Sequence, residues 1–424
     1  MAPPTTFSPV ASREIYVIKE ATAGVVPATV GVPWALTSFK PSDKPMWIED
    51  DSWQGVMGDR YGVYQGPLIG SLDGGGHIFA DTIGYPLYGI FGDYTATGTS
   101  PTSSTTLTAQ LTAGQTTATV ASIVGYSSGS QVQIGTATDG NPEIVTLSAA
   151  PSGSVITFAG TPARFTHLNG ATVAAVSAPF THVFALLNGP DIGWGPSQPP
   201  TYTLTDRQGI AANGANQYAY TCFSELTITG NAEKLLDFTF KATSASRATA
   251  AAPVGTANVS SELASPSWRT ATGWGGVASG GTQVKDVGEH SITITRQVKP
   301  YNTEQGSQQP YVIARGKQGA TGKITLAPAI DDSSLTALLA NTQPQLQFVT
   351  SNGLSGTALR SLQVDILLAA LETDDITDNG ELFGYDPTFK TVHTAETAGG
   401  ITMTGASGGK GSVKVTLVNA QPTY

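Results

Sequence analysis

Apolar and polar residues alternate along most of this chain. Leu226-Thr-Ile-Thr, Leu236–Phe240, Ser291-Ile-Thr-Ile-Thr, Lys323-Ile-Thr-Leu and Val413–Val418 all follow a period of two. That period places successive side chains on opposite faces of half-buried strands. Gly, Asn, Pro and Asp separate the runs and supply the turns. Two segments predict helices instead. Phe79–Phe91 is apolar in clusters, although it contains Gly84, Pro86 and Gly89. Asp331–Asn341 opens on polar residues able to cap, continues with apolar residues at helical spacing, and stops at Asn-Thr-Gln-Pro. The expected fold class is mainly β, two β-sandwich or barrel-forming domains each with a short helix, plus a small inserted β domain.

Self-comparison supplies the domain plan. Gly76-His-Ile-Phe matches Gly322-Lys-Ile-Thr at an offset of 246. Val183, Leu186 and Leu187 match Val364, Leu367 and Leu368 at 181, and Leu226–Gly230 matches Ile401–Gly405 at 175. The drop in offset implies about 65 extra residues in the first copy, where Thr, Ala, Ser and Gly dominate from Thr95 to Ser177. The expected division is a discontinuous first unit, residues 1–96 and 180–247, an insert at 97–179, a linker at 248–267 and a second unit at 268–424. Within the insert, Thr117–Val120, Gln131–Ile134, Glu143–Leu147 and Val155–Phe158 read as four short strands.

Only 12% of residues are charged, against ~25% in an average soluble protein. A surface covered by other subunits explains such a composition. The net charge of −10 excludes a basic nucleic-acid glove. The lone Cys222 excludes an internal disulfide. No basic-then-apolar leader and no long apolar span is present, so synthesis in the cytoplasm without classical export or membrane association is expected.

Candidate chemistry is sparse. His77, His167, His182, His290 and His393 have no partner at metal-ligand spacing, and Cys222 beside Phe223 reads as core. Asp73-Gly-Gly-Gly-His77 lacks the Lys-Ser/Thr of a phosphate loop. Asp375, Thr377, Asn379, Gly380 and Asp386 partly follow a calcium-loop order, without flanking helices, so a solvated loop is the plainer reading. The aromatic clusters Trp47–Tyr64 and Asp191–Tyr202 read as core or subunit contacts, with sugar stacking as the rival. No cofactor and no enzymatic activity are expected.

Each unit runs opening strand, polar hairpin, paired strand, helix and closing strands. That layout resembles the phage tail tube protein family, and the insert resembles the Ig-like β modules that decorate phage structural proteins. The resemblance implies a structural virion protein whose domains join into a continuous barrel around a channel for DNA, in stacked rings and alongside other tail proteins. If a ring contains six tube domains, a chain with two needs three copies; a hexamer is the alternative. It also implies channel-lining or inter-ring roles for the hairpins carrying Asp50, Asp51, Asp59 and Glu304. Competing readings are a carbohydrate-binding adhesin, another virion decoration or baseplate protein, and a β-sandwich glycosidase.

Overall fold

A computed structural model of the chain describes residues 13–28, 31–52, 55, 60–98, 103–135, 143–159, 162–163, 165–176, 179–187, 198–208, 214–250, 276–304, 306–326, 337–352, 359–378, 383–393, 397–398, 401–403, 411–419, 421 and 423–424. The fold is mainly β. The first half contains β1 (Arg13–Lys19), β2 (Val32–Trp34), β3 (Ser38–Asp50), β4 (Gly62–His77), α1 (Gly84–Phe91) and β5 (Gly92–Thr97). A small module follows with β6 (Ser104–Thr106), β7 (Thr117–Thr119), β8 (Gln131–Ile134), β9 (Glu143–Thr146), β10 (Val155–Thr157) and β11 (Thr172–Val176). The chain returns in β12 (Phe180–Leu186), β13 (Tyr202–Gln208), β14 (Ala215–Asn231), β15 (Asp237–Ser244) and β16 (Ala248–Ala250). The second half contains β17 (Gly276–Ser279), β18 (Thr282–Gln283), β19 (Val287–Tyr301), β20 (Val312–Leu326), β21 (Leu346–Ser351), β22 (Ser361–Ile366), β23 (Ala369–Asp378) and β24 (Phe383–Thr391). It ends with β25 (Thr397–Ala398), β26 (Ile401–Thr402) and β27 (Val413–Asn419).

One strand order occurs twice. The long hairpins pair as β3-β4-β15-β14 in the first half and β19-β20-β24-β23 in the second, every neighbour antiparallel. The other sheets run β2-β1-β13-β14, with β16 also on β14, and β18-β17-β21-β22-β27. β14 serves both sheets of its half and turns between them at Tyr220, which sits at φ 55. In the second half the chain breaks at this place into β22 and β23. The halves join where β14 pairs with β19, Leu226 opposite Ile294 and Ile228 opposite Ile292. Those four side chains are buried in a core shared by both halves.

Both halves repeat one packing device. A Cβ on Gly74 would lie 2.6 Å from the Phe240 ring and 3.2 Å from the Ser38 carbonyl. A Cβ on Gly322 would meet the Phe389 ring closer still, and the Ser291 carbonyl at 2.7 Å. Each glycine therefore makes room for a buried phenylalanine from the neighbouring strand. The topology thus sets Gly322 beside Gly74, two residues from the sequence match at Gly76. The other two matches do not share places: β12 and β22 flank opposite sides of β27, and among the described residues Ile401–Thr402 pairs with the two-residue β25, unlike β14.

The first expected helix is shorter than its apolar run. Pro86 fits only the first turn of a helix, where its missing N–H is not needed, so α1 starts at Gly84. Of the second, residues 337–339 form a helical turn ending at Asn341, which has φ 50; residues 331–336 lie outside the described residues.

The four expected strands of the insert are β7 to β10. Leu107, Val120, Val132, Ile134, Ile156 and Val173 build a core separate from the main one. Inside it His167 Nε2 lies 2.8 Å from Glu143 Oε1, both side chains 2% exposed. His167→Ala leaves a buried carboxylate without that partner, so the module is expected to lose ~3–5 kcal/mol. Calorimetry of the whole chain should show one transition moving down while the other holds.

Candidate assembly surfaces

The two outer edges of the long-hairpin sheet belong to β3 and β23. Among the described residues, β3 pairs only with β4, and β23 only with β24. Long free edges invite pairing with another chain. β3 carries Pro41, Pro45, Lys40 and Lys44, residues that discourage indiscriminate pairing, whereas β23 carries Glu372, Asp374, Asp375 and Asp378.

The face of this sheet turned away from the core bears alternating charge. Lys40, Asp73, Lys241 and Glu225 stand opposite one another in sequence across β3, β4, β15 and β14. Lys241 Nζ lies 2.8 Å from Glu225 Oε1. The second half repeats this contact between Lys390 and Glu372, and adds Lys323–Asp386 at 2.7 Å. These pairs are solvent-exposed on at least one side, so each contributes little stability. Their effect is to leave the face nearly neutral.

Both hairpins end at the same end of the sheet, since β3 and β19 run parallel to each other across it. Their tips expose apolar side chains: Met46, Trp47, Ile48, Val63 and Tyr64 on the first, Tyr301, Tyr311 and Val312 on the second. Such clusters mark interaction surfaces. Asp51 and Glu304 are exposed at these tips, and Asp50 is half-buried. A hydrogen bond from Ser52 holds the Asp50 carboxyl below its usual range. Asp59 lies outside the described residues. The second tip folds back, with Leu68 N donating to Gln308 O at 2.9 Å and Gln308 Nε2 to Gly66 O at 3.1 Å.

Asp375 and Asp386 face one another across the β23–β24 pair, and Asp386 is held by Lys323. Strands therefore stand at both ends of the segment in which the sequence suggested a calcium-type loop; Asn379 and Gly380 lie outside the described residues. Among the described residues no cluster of three or more His, Cys, Asp or Glu could hold a metal. Burial raises the Cys222 thiol to about 12, the opposite of an activated nucleophile.

Of the described histidines, His167, His182 and His290 are buried, whereas His393 is exposed. His77 pairs with Asp237 at 2.6 Å, and His182 lies between Tyr94 Oη and Asn419 Oδ1. Burial depresses His182 and brings His290, which packs against Phe348, down to about 4. The unfolded chain takes up these protons near pH 6.5, while the folded chain resists until lower pH. Stability is therefore full above about pH 6.5 and falls towards pH 4, by up to about 1.4 kcal/mol per unit for each histidine. His290→Gln should flatten the slope seen in urea unfolding across that window.

Free edges, matching tips and an uncharged-on-balance face are the surfaces of a protein completed by neighbours. No curated protein matches the chain. A sequence model of the family described as "Phage tail tube protein" matches residues 11–419. By that match, which spans nearly its whole length, the chain belongs to the phage tail tube protein family.

Proposed function

We propose that the chain is a ring-forming tail tube subunit with a duplicated tube domain, three copies of which close a pseudo-sixfold ring. Rings stack by their hairpin tips into a tube through which DNA passes without specific binding. As a tail tube protein the chain is a structural component of the virion tail and works by self-assembly with its own copies and other tail proteins. The carrying observation is the repeated order β3-β4-β15-β14 and β19-β20-β24-β23. A chain with two such units supplies eight alternating strands, and an even number lets antiparallel alternation continue around a closed barrel.

The division into units at 1–96 with 180–247, 97–179 and 268–424 is part of this reading, with one refinement. β5 and β12 pair with each other, and β12 extends the second half's sheet at β27. The extra segment of the first unit is thus read as running from β5 to just before β13, with the small module at its outer end. A charge pattern on the channel-facing side in which Lys241, Lys323 and Lys390 are paired with carboxylates would hold phosphates weakly and let them slide.

Cryo-EM of tubes formed by the purified protein tests this directly. Three chains per ring with six similar units in projection is the expected result; six chains per ring would displace the three-chain reading. At the tips, reversing Asp50 and Asp51 to Lys together should block stacking or slow DNA ejection. Normal tubes and normal infectivity would remove both residues from the mechanism.

A further inference from the structure

The inner joint between the halves gives the geometry of the outer one. At that joint Thr229, Ile228 and Thr227 of β14 stand opposite Ser291, Ile292 and Thr293 of β19, and the hydroxyls of Thr227 and Thr293 lie 2.9 Å apart. The free edge of β3 can be aligned with β19 by its landmarks. Ser38 and Ser291 each place a carbonyl over the glycine that accommodates a buried phenylalanine, so Ser38, Phe39 and Lys40 occupy the places of Ser291, Ile292 and Thr293.

The free edge of β23 aligns with β14 in the same way. Thr227 faces Thr239 just before Phe240, and Thr373 faces Thr388 just before Phe389. Each phenylalanine is followed by a lysine, Lys241 or Lys390, and these pair with Glu225 and Glu372. Thr373, Asp374 and Asp375 therefore occupy the places of Thr227, Ile228 and Thr229.

We infer that ring closure joins β23 of one chain to β3 of the next in the antiparallel register of the β14–β19 joint, with Asp375, Asp374 and Thr373 opposite Ser38, Phe39 and Lys40 of the neighbour. This rests on the tube reading and names the edges and register it uses. Charge favours the assignment. Lys40 arrives opposite Thr373, one step diagonally from Asp375, on the face turned away from the core. Cross-strand neighbours at that spacing are within reach of a lysine side chain. On the core face Asp374 arrives at Phe39, whose ring lies 5.2 Å from the Arg13 guanidinium. An apolar joint inside the chain is thus replaced by a charged one between chains, which protects the free edges before assembly.

Paired residues across antiparallel strands have Cα atoms ~4.5–5.5 Å apart, within the span of a disulfide. The test introduces Ser38→Cys and Asp375→Cys into one chain. Both sites are exposed, and Cys222 is 1% exposed and does not compete. Oxidised tubes should give covalent dimers and trimers on non-reducing denaturing gels, with nothing larger. The off-register pair Ser42→Cys with Asp375→Cys should give none. In parallel, Lys40→Glu should lower tube yield at least tenfold, and adding Asp375→Lys should restore it. Tubes that form without the Ser38–Asp375 cross-link, or are indifferent to Lys40→Glu, overturn the register; bands beyond three chains overturn the three-chain closure. Failure of the unmodified protein to form tubes would instead count against the tube reading itself.

Discussion

Arg296→Ala is expected to destabilise the protein by ~3–5 kcal/mol, the cost of stranding buried polar groups beside a new cavity. Arg296 lies on β19 and is 3% exposed. Its Nη1 donates to Ile90 O at 2.7 Å and Phe91 O at 3.0 Å, the terminal carbonyls of α1. A helix C-terminus leaves such carbonyls without intrahelical partners and carries partial negative charge, so a cation satisfies both needs. Burial, with the nearby charge of Arg315, lowers this guanidinium to about 10, which still leaves it protonated at neutral pH. Because the contact ties the first half's helix to the second half's first hairpin strand, its loss should also loosen the β14–β19 joint. Urea unfolding measures the stability change, and hydrogen exchange at Leu226 and Ile294 reports the joint. Arg296→Lys, which keeps the charge but not the two-carbonyl reach, should retain part of the stability; an alanine cost below about 1 kcal/mol would show that the carbonyls find other partners.

Gly322→Val should cost ~3 kcal/mol, at or above the upper end of ordinary overpacking. The added atoms meet the Phe389 ring on one side and the Ser291 carbonyl on the other, and neither is free to withdraw. Gly74→Val is expected to behave alike against Phe240, somewhat more mildly because its neighbours stand farther off. Phe389→Leu should recover part of the loss in the Gly322 variant, since side chains in contact couple. The valine substitution and the rescue can be read from the shift in urea midpoint at constant slope. Additive costs for Gly322→Val and Phe389→Leu would refute the packing account.

Much of the fold is legible in the residues. The run Ser291-Ile-Thr-Ile-Thr can bury Ile292 and Ile294 only by standing as a strand, and both are fully buried. Thr117–Thr119, Gln131–Ile134, Glu143–Thr146 and Val155–Thr157 are strands for the same reason. The family is legible too, from the order of elements and the scarcity of charge. The candidate surfaces are less so. Asp50, Asp51 and Glu304 announce themselves as polar hairpin residues, but Lys40, Glu372 and Asp375 look like ordinary strand charges until their edges are seen to be free.

The sequence by itself determined the β-rich class, many of the strand positions and the separate small module, because each is written in local periodicity and composition. Tertiary structure alone decided which strands are neighbours and in what register. A period of two repeats every second residue, so Gly76 and Gly74 are equal candidates for matching Gly322 on pattern alone. Only the Phe240 and Phe389 rings, brought in from strands distant along the chain, break that tie.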